Sequence, residues 1–318
     1  MITLVVPTRN RAHTLRLVAP SYFAQDGVSE IVFVVDAGSD DTPAAIAAAA
    51  ARFPAVRTKI LTNPARLGAS QSRNVGAAAA SNDYILFCDD DEYLEPGYAA
   101  VCLDKLRRSG AAAVSGRRVY MREGETPQQA LRRFGNGLRR APPFRRALCE
   151  YVNGARFDGD IELPFTNAII LTERRLLQQF PFDPYYARGN GYREETDYQM
   201  NLFTHGFRIL VTSDVHSIHL CPSQVQRGGQ RVSRWRRVYW SVHYTRYFYR
   251  KYYRAYAART GLRLPQTAAV ALFAGFAAYR EFLRPSLHAA ALRLLEMRAA
   301  RDGARAAAPA EPGSPREG

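Results

Sequence analysis

A doubly wound, mostly parallel α/β sheet is the fold this sequence predicts, and three observations predict it. Short apolar runs alternate with helix-forming stretches from Ile2 to Phe87, the pattern that builds parallel sheets through helical crossovers. The runs have the length of buried strands and are bounded by turn and capping residues. Each of the principal runs also stops in a polar cluster: Thr8 after the first, Asp36 after the second, and Asp89 to Asp91 after the fourth.

The elements follow in order. Ile2 to Val6 reads as a strand ending at Pro7-Thr8-Arg9-Asn10-Arg11, and Ala12 to Tyr22 as a helix. Glu30 to Val35 is a second apolar strand. Gly38-Ser39-Asp40-Asp41-Thr42 then supplies a turn with capping side chains for the alanine-rich helix from Pro43 to Arg52. Arg57 to Leu61 is a weaker third strand, and a helix from about Ala69 to Ala80 carries Arg73-Asn74. Tyr84 to Cys88 is the fourth strand, ending in Asp89-Asp90-Asp91-Glu92. Beyond it we expect a helix over Glu95 to Arg107 and a strand from Ala112 to Tyr120. The basic region from Arg132 to Arg146 should be a loop over the acceptor side, with a strand over Leu163 to Leu171 and a helix from Glu173 to Gln179 after it.

At 318 residues the chain can bury a sizeable core. Its four cysteines form no C-x-x-C pair, so they read as reduced core residues of a cytoplasmic protein. No secretory signal opens the sequence, and no apolar segment reaches the ~18 residues of a membrane span. The net charge of +15 is unevenly placed: from Cys221 onward eighteen basic residues face five acidic ones, so this third of the chain carries +13. An anionic partner for that segment follows. The expected division is 1–222 for the α/β unit, 223–300 for a basic aromatic helical extension and 301–318 for a disordered tail.

In a parallel sheet, strand ends of this kind share one edge, where ligands bind. Hard oxygens there suit Mg²⁺ or Mn²⁺ together with phosphate oxygens, and Asp36 could take a base or ribose edge. Neither G-x-G-x-x-G after the first strand nor G-x-x-x-x-G-K-[ST] anywhere is present, which removes other nucleotide chemistries.

Four blocks, Val5 to Arg11, Val34 to Thr42, Arg66-Leu67-Gly68 with Ser72 to Gly76, and Phe87 to Asp91, resemble the family-2 glycosyltransferases of the GT-A fold in order and spacing. Over about Met1 to Leu220 the resemblance implies a GT-A type mixed sheet and a nucleotide-sugar donor (UDP-, GDP- or dTDP-linked). It further implies an inverting transfer to a hydroxyl acceptor and a D-x-D metal element at Asp89 and Asp91. Pro7, Thr8, Arg9, Asp36 and Asp90 fall at donor positions, Arg66 and Arg73 line the same cleft, and His219 matches a closing histidine able to meet metal or pyrophosphate.

Tyr192-Arg193-Glu194-Glu195-Thr196-Asp197 opens a helix with three acids. Acids there complement the helix dipole, and one of them could also remove the acceptor proton. The resemblance puts the base at the second member of an acidic pair, Glu195, with Glu194 beside it and Asp197 as an orienting or acceptor-binding group. The family carries aspartate at that second position, and this chain has the longer glutamate.

From Trp235 to Tyr256 aromatic residues interleave with arginines. Such a helix can pack on the catalytic unit with its arginines snorkelling, lie on an anionic membrane through residues 231–258, or, least favoured, bind nucleic acid. A peripheral position at the inner face of the membrane goes with the second reading. Rival functions are a sugar-1-phosphate nucleotidyltransferase, a membrane-embedded polysaccharide synthase whose Q-x-x-R-W element Gln230 to Trp235 only approximates, and a nucleic-acid-binding module. The acceptor, whether glycan, lipid-linked intermediate or secondary metabolite, is not encoded legibly.

Overall fold

A computed structural model describes residues 1–135, 143–229 and 232–285. Strand β1 (Ile2–Thr8) leads into helix α1 (Ala12–Phe23), β2 (Val28–Asp36), α2 (Thr42–Ala50), β3 (Arg57–Asn63), α3 (Gly68–Ala79) and β4 (Tyr84–Phe87). A short β5 (Glu92–Leu94), α4 (Tyr98–Ser109), β6 (Ala113–Tyr120) and α5 (Pro127–Gly135) follow. Then come β7 (Phe144–Arg145), β8 (Glu150–Tyr151), β9 (Asp160–Glu162), β10 (Leu171–Glu173), α6 (Arg174–Gln179), α7 (Glu194–Thr204) and β11 (Ile209–His219). Two long helices, α8 (Arg234–Thr260) and α9 (Gln266–Ala278), close the described chain.

Among the described residues the main sheet has nine strands in the order β3-β2-β1-β4-β10-β6-β11-β5, with β9 added beside β11. The first four pair in parallel, as right-handed crossovers require. Strand β10 runs antiparallel between β4 and β6, which makes the sheet mixed. Strand alternation divides the core in two. Leu4, Val6 and Leu86 face α1, α2 and α4, while Val5, Ile85 and Phe87 face α3, α6, α7 and α8.

Two expectations need correction. The strand expected over Leu163 to Leu171 is absent except at Leu171, where β10 begins, because side-chain amides satisfy the backbone instead of a ladder: Asn167 donates to the Gly116 carbonyl at 2.8 Å, and the Thr166 and Ile169 amides donate to Gln199 and Asn167. The loop expected from Arg132 begins inside α5, whose start is a capping box: the Gln129 amide donates to Thr126 Oγ1 and the Thr126 amide to Gln129 Oε1. The middle of that region, 136–142, lies outside the described residues, as do Gln230, Arg231 and the expected tail from 301.

Helix α8 takes the packing role between Tyr244 and Tyr256. Tyr244, Phe248, Tyr249, Tyr252 and Tyr256 recur at helical spacing on its buried face, and the last four share one core with α7. Buried phenols need partners: Tyr244, Tyr249 and Tyr256 donate to the carbonyls of Arg188, Leu148 and Arg146 at 2.6 to 2.8 Å. The extension expected from residue 223 is therefore continuous with the core. No helix among the described residues is long and apolar enough to cross a membrane.

Candidate active site

The carboxyl ends of β1, β2 and β4 open into a cavity of about 300 Å³. Its acidic wall is fixed from beneath: the Tyr22 hydroxyl of α1 lies 2.6 Å from the Asp89 carbonyl and 2.7 Å from that of Glu92, and the Leu220 amide donates to the Asp91 carbonyl. The turn therefore presents its side chains from a rigid backbone.

The three consecutive aspartates meet different surroundings. Asp89 accepts from Arg73 at 2.8 Å and from Arg118 at 3.1 Å. Burial opposes its charge, yet these two guanidiniums outweigh it and hold the carboxyl below the usual range. Asp90 is pushed up to about 7 by burial and by the neighbouring Asp91, against the pull of Arg11. Asp91 lies between Arg11 Nη2 at 3.4 Å and His219 Nε2 at 3.6 Å.

Arg73, buried on α3, joins this wall to the start of α7: one guanidinium nitrogen meets Asp89 and the other Glu194. Arg193, held at φ +80° just ahead of α7, is buried beneath Phe165, Phe248 and Phe273 and donates to the Cys149 carbonyl at 2.6 Å. That anchor fixes where the acidic pair emerges. Burial and the adjacent Glu195 raise Glu194 to about 7 despite Arg73. Glu195 is half-buried and outside the arginine clamp; burial raises it too, and Arg73, Asp89 and Arg118 are the charges that act on it.

Divalent-metal use was tested against the donor set. Among the described residues, Asp91, Glu92 and His219 bring one ligand atom each within 4.8 Å of one another. Glu92 is fully buried, and neither carboxylate oxygen has a hydrogen-bond partner, although the Arg118 guanidinium is ion-paired to it. A buried carboxylate beside an aspartate and an imidazole fits a hard divalent cation. Asp89, expected as a ligand with Asp91, accepts from Arg73 and Arg118, and Arg118 also pairs with Glu92.

Pro7, Thr8, Arg9, Asp36, Arg73, Asp90 and His219 all line the cavity. The Asp36 carboxylate accepts from the Leu67 and Gly68 amides at 2.7 and 2.9 Å and from Asn63 at 2.9 Å, so it shapes the loop entering α3. Glu194 lines it too, whereas Glu195, the expected base, is not among the lining residues, and two further residues depart from expectation. Arg66 is exposed and away from the lining. Asp197 is buried against α8 and away from the lining, where Lys251, Tyr186 and Tyr252 saturate it.

Sequence reasoning passed over Arg11, Glu92, Arg118 and Asn190. Arg11 stood inside the first block, and the pair Arg117-Arg118 interrupting an apolar strand was the signal for a buried charge. Asn190 enters through its loop, which the sequence does not place. Gly229 also reaches the site, its amide donating to the Arg9 carbonyl at 2.9 Å.

The family model described as Glycosyl transferase family 2 matches residues 3–180. The chain is similar to the succinoglycan biosynthesis protein ExoO of Rhizobium meliloti (strain 1021), 29% identical over 197 residues that cover 60% of this chain and 53% of that protein. It is also similar to the pre-mycofactocin glycosyltransferase of Mycobacterium tuberculosis (strain ATCC 25618 / H37Rv), 29% identical over 160 residues covering 48% and 32%. The chain therefore spans about half the length, or less, of these relatives. Among solved structures, the mannosyltransferase of Pyrobaculum calidifontis in complex with GDP-Man and Mn²⁺ has a TM-score of 0.58 at 18% identity, covering 94% of this chain and 80% of that one. S. aureus TarS 1-349 in complex with UDP-GlcNAc has a TM-score of 0.55 at 15% identity, covering 88% and 72%. At such identities the likeness is one of fold.

Proposed function

This chain belongs to glycosyl transferase family 2, and from that premise we propose that it moves a sugar, with inversion, from a nucleoside-diphosphate sugar to an acceptor hydroxyl. One observation carries the reading: Arg73 ties Asp89 to Glu194, which lies 121 residues beyond Arg73 in the chain, across a single cavity. Arg9 Nε is buried there without a hydrogen-bond partner, as expected of a group that waits for a polar ligand.

The donor diphosphate lies against Arg9 and Arg11, with Thr8 and Asp36 toward the nucleoside. Asp91, Glu92 and His219 would hold Mn²⁺ or Mg²⁺, which when bound supplies Lewis-acid neutralisation of the diphosphate. Glu195 takes the proton of the acceptor hydroxyl as its oxygen bonds to the anomeric carbon; the bond from that carbon to the diphosphate oxygen breaks on the opposite face. Being raised by burial, Glu195 is a stronger base than an exposed carboxylate, whereas Glu194 is occupied with Arg73. An anionic membrane surface is the partner we assign to the start of α8, where exposed Trp235 and Tyr239 accompany Arg234, Arg236 and Arg237; the protein then works at the cytoplasmic face.

Glu195→Gln should lower transfer ~100-fold or more while donor affinity stays. If Glu194→Gln does so instead, the base is reassigned. A thermal-shift screen of nucleotide sugars with Mn²⁺ or Mg²⁺ tests the donor class, since a ligand of the folded state raises its melting point; no stabilisation by any of them overturns the proposal.

A further inference from the structure

A second cavity lies between α8, α9 and the turn before α7, well supplied with arginine and apart from the residues that line the catalytic cavity. It measures about 700 Å³ and is lined by Tyr185, His243, Arg246, Tyr247, Arg250 and Thr267, among others. Its floor is a ladder of rings. Tyr247 stacks on Tyr185 at 3.8 Å, Tyr185 on His243 at 5.8 Å, and His243 on Tyr239 at 5.8 Å. Arg250 and Lys251 lie over the ring of Tyr247 at 5.5 and 5.2 Å.

The stacking decides what the groove can recognise. A nucleobase needs an uncovered ring face, and the faces of Tyr185, His243 and Tyr247 already serve one another. The nearest acid is spent as well: Asp183 accepts from Lys251 at 2.8 Å, Tyr247 at 2.9 Å and the Tyr185 amide at 2.8 Å. Left open are hydrogen-bond donors. Arg246 and Arg250 are exposed with no carboxylate against them among the described residues, and α9 begins at Gln266 without a side-chain cap or an acid in its first turn, leaving amide donors beside Thr267. A ligand matching this surface is anionic, rich in hydroxyl and ether oxygens, and carries no aromatic base.

One short segment borders both cavities, with Tyr185 lining the groove and Asn190 the catalytic cavity. Trp240 packs on Gly189 so closely that a Cβ there would come within 2.4 Å of the indole. Tyr244 holds the Arg188 carbonyl at 2.6 Å, and Asn190, which follows Gly189, lines the catalytic cavity. We propose that this groove is an acceptor subsite that binds an acidic oligosaccharide, presenting its end to the transfer site. The assignment rests on the glycosyltransferase reading.

Calorimetric titration of the full chain with trigalacturonate, against maltotriose as a neutral control, tests it. Trigalacturonate should bind, lose affinity as salt is raised, and bind the Arg246→Gln/Arg250→Gln double variant about tenfold more weakly, as expected for the loss of two charge-assisted contacts. Maltotriose should give no heat. Both arginines are exposed, so the variant keeps its fold, which unchanged melting would verify. Absence of trigalacturonate binding, equal binding by the double variant, or tighter binding of a short oligothymidylate of the same charge would overturn the subsite. Because no donor or turnover is involved, a failed nucleotide-sugar screen with intact trigalacturonate binding separates loss of the enzymatic reading from loss of this one.

Discussion

Replacing Lys251 with methionine should destabilise the protein in a way that depends on pH. The Asp197 carboxylate is 2% exposed and accepts from Lys251 Nζ at 2.8 Å through both oxygens, from Tyr186 at 2.9 Å and from Tyr252 at 3.1 Å. Stranding a buried charge costs ~3–5 kcal/mol. The two phenols remain as donors and Lys251 is itself partly hydrated, so about 3 kcal/mol is expected near neutral pH, a large share of a typical folding free energy. Burial already raises the Asp197 carboxyl above its ordinary value, with Lys251 the main opposing influence; removing the lysine raises it further. The folded state then holds a proton that the unfolded chain releases, so stability falls as pH rises from the unfolded carboxyl value through the folded one. The deficit relative to wild type should therefore be large at about pH 7.5 and shrink toward about pH 4, and Lys251→Met/Asp197→Asn should recover most of it. Urea midpoints at the two pH values, with m-values checked, measure this. An equal deficit at both, or no recovery in the double variant, would show that α8 is held to α7 by ring packing alone.

Glu30 makes the opposite pH prediction. Burial would raise its carboxyl, but Lys59, Ser81 and Thr3 outweigh burial and hold it at about 2. Its contribution is present above the unfolded value near 4.5 and is lost as pH falls toward about 2; Glu30→Gln should cost roughly 2–3 kcal/mol at neutral pH and little near pH 2.5, by denaturant midpoint. Gly189→Ala places a Cβ 2.4 Å from Trp240 at φ +65°, so it should cost about 1–3 kcal/mol and displace Asn190. Nucleotide-sugar affinity, measured by calorimetry, should fall with it, and unchanged affinity would detach that loop from the donor.

Legibility in the sequence followed how local the determining forces are. The alternation from β1 to β4 was readable because each strand is an apolar run closed by a polar turn, and those ends meet because parallel strands leave them no alternative. Strand β10 was overestimated, since Thr166 and Asn167 exchange ladder bonds for side-chain bonds with Gln199 and Gly116, partners far away in sequence. Helix α5 was missed although its Thr126 and Gln129 spell a capping box. Asp197 was assigned to the cleft because three acids in one helical turn look alike in a string; their faces differ by the helical rotation, and the third points at Lys251. Arg118 and Glu92 escaped because a buried ion pair is visible only when both partners are placed.

The sequence Asp89-Asp90-Asp91 invites a single role, and the structure assigns three environments instead. Asp89 serves as the anchor of Arg73, and through Arg73 of Glu194. Asp90 is pushed up to about 7 by burial and by Asp91. Asp91 alone turns toward Glu92 and His219. If this division is right, two isosteric changes separate. Asp91→Asn should weaken Mn²⁺ binding by ~10-fold or more, because it removes a charged oxygen ligand. Asp89→Asn should leave Mn²⁺ binding near wild type while loosening Arg73, so that stability and donor affinity decline together. Calorimetric Mn²⁺ titrations of both variants without donor decide the matter. Loss of Mn²⁺ affinity in Asp89→Asn equal to that in Asp91→Asn would return Asp89 to the ligand set, and with it the D-x-D pairing that its arginine contacts argue against.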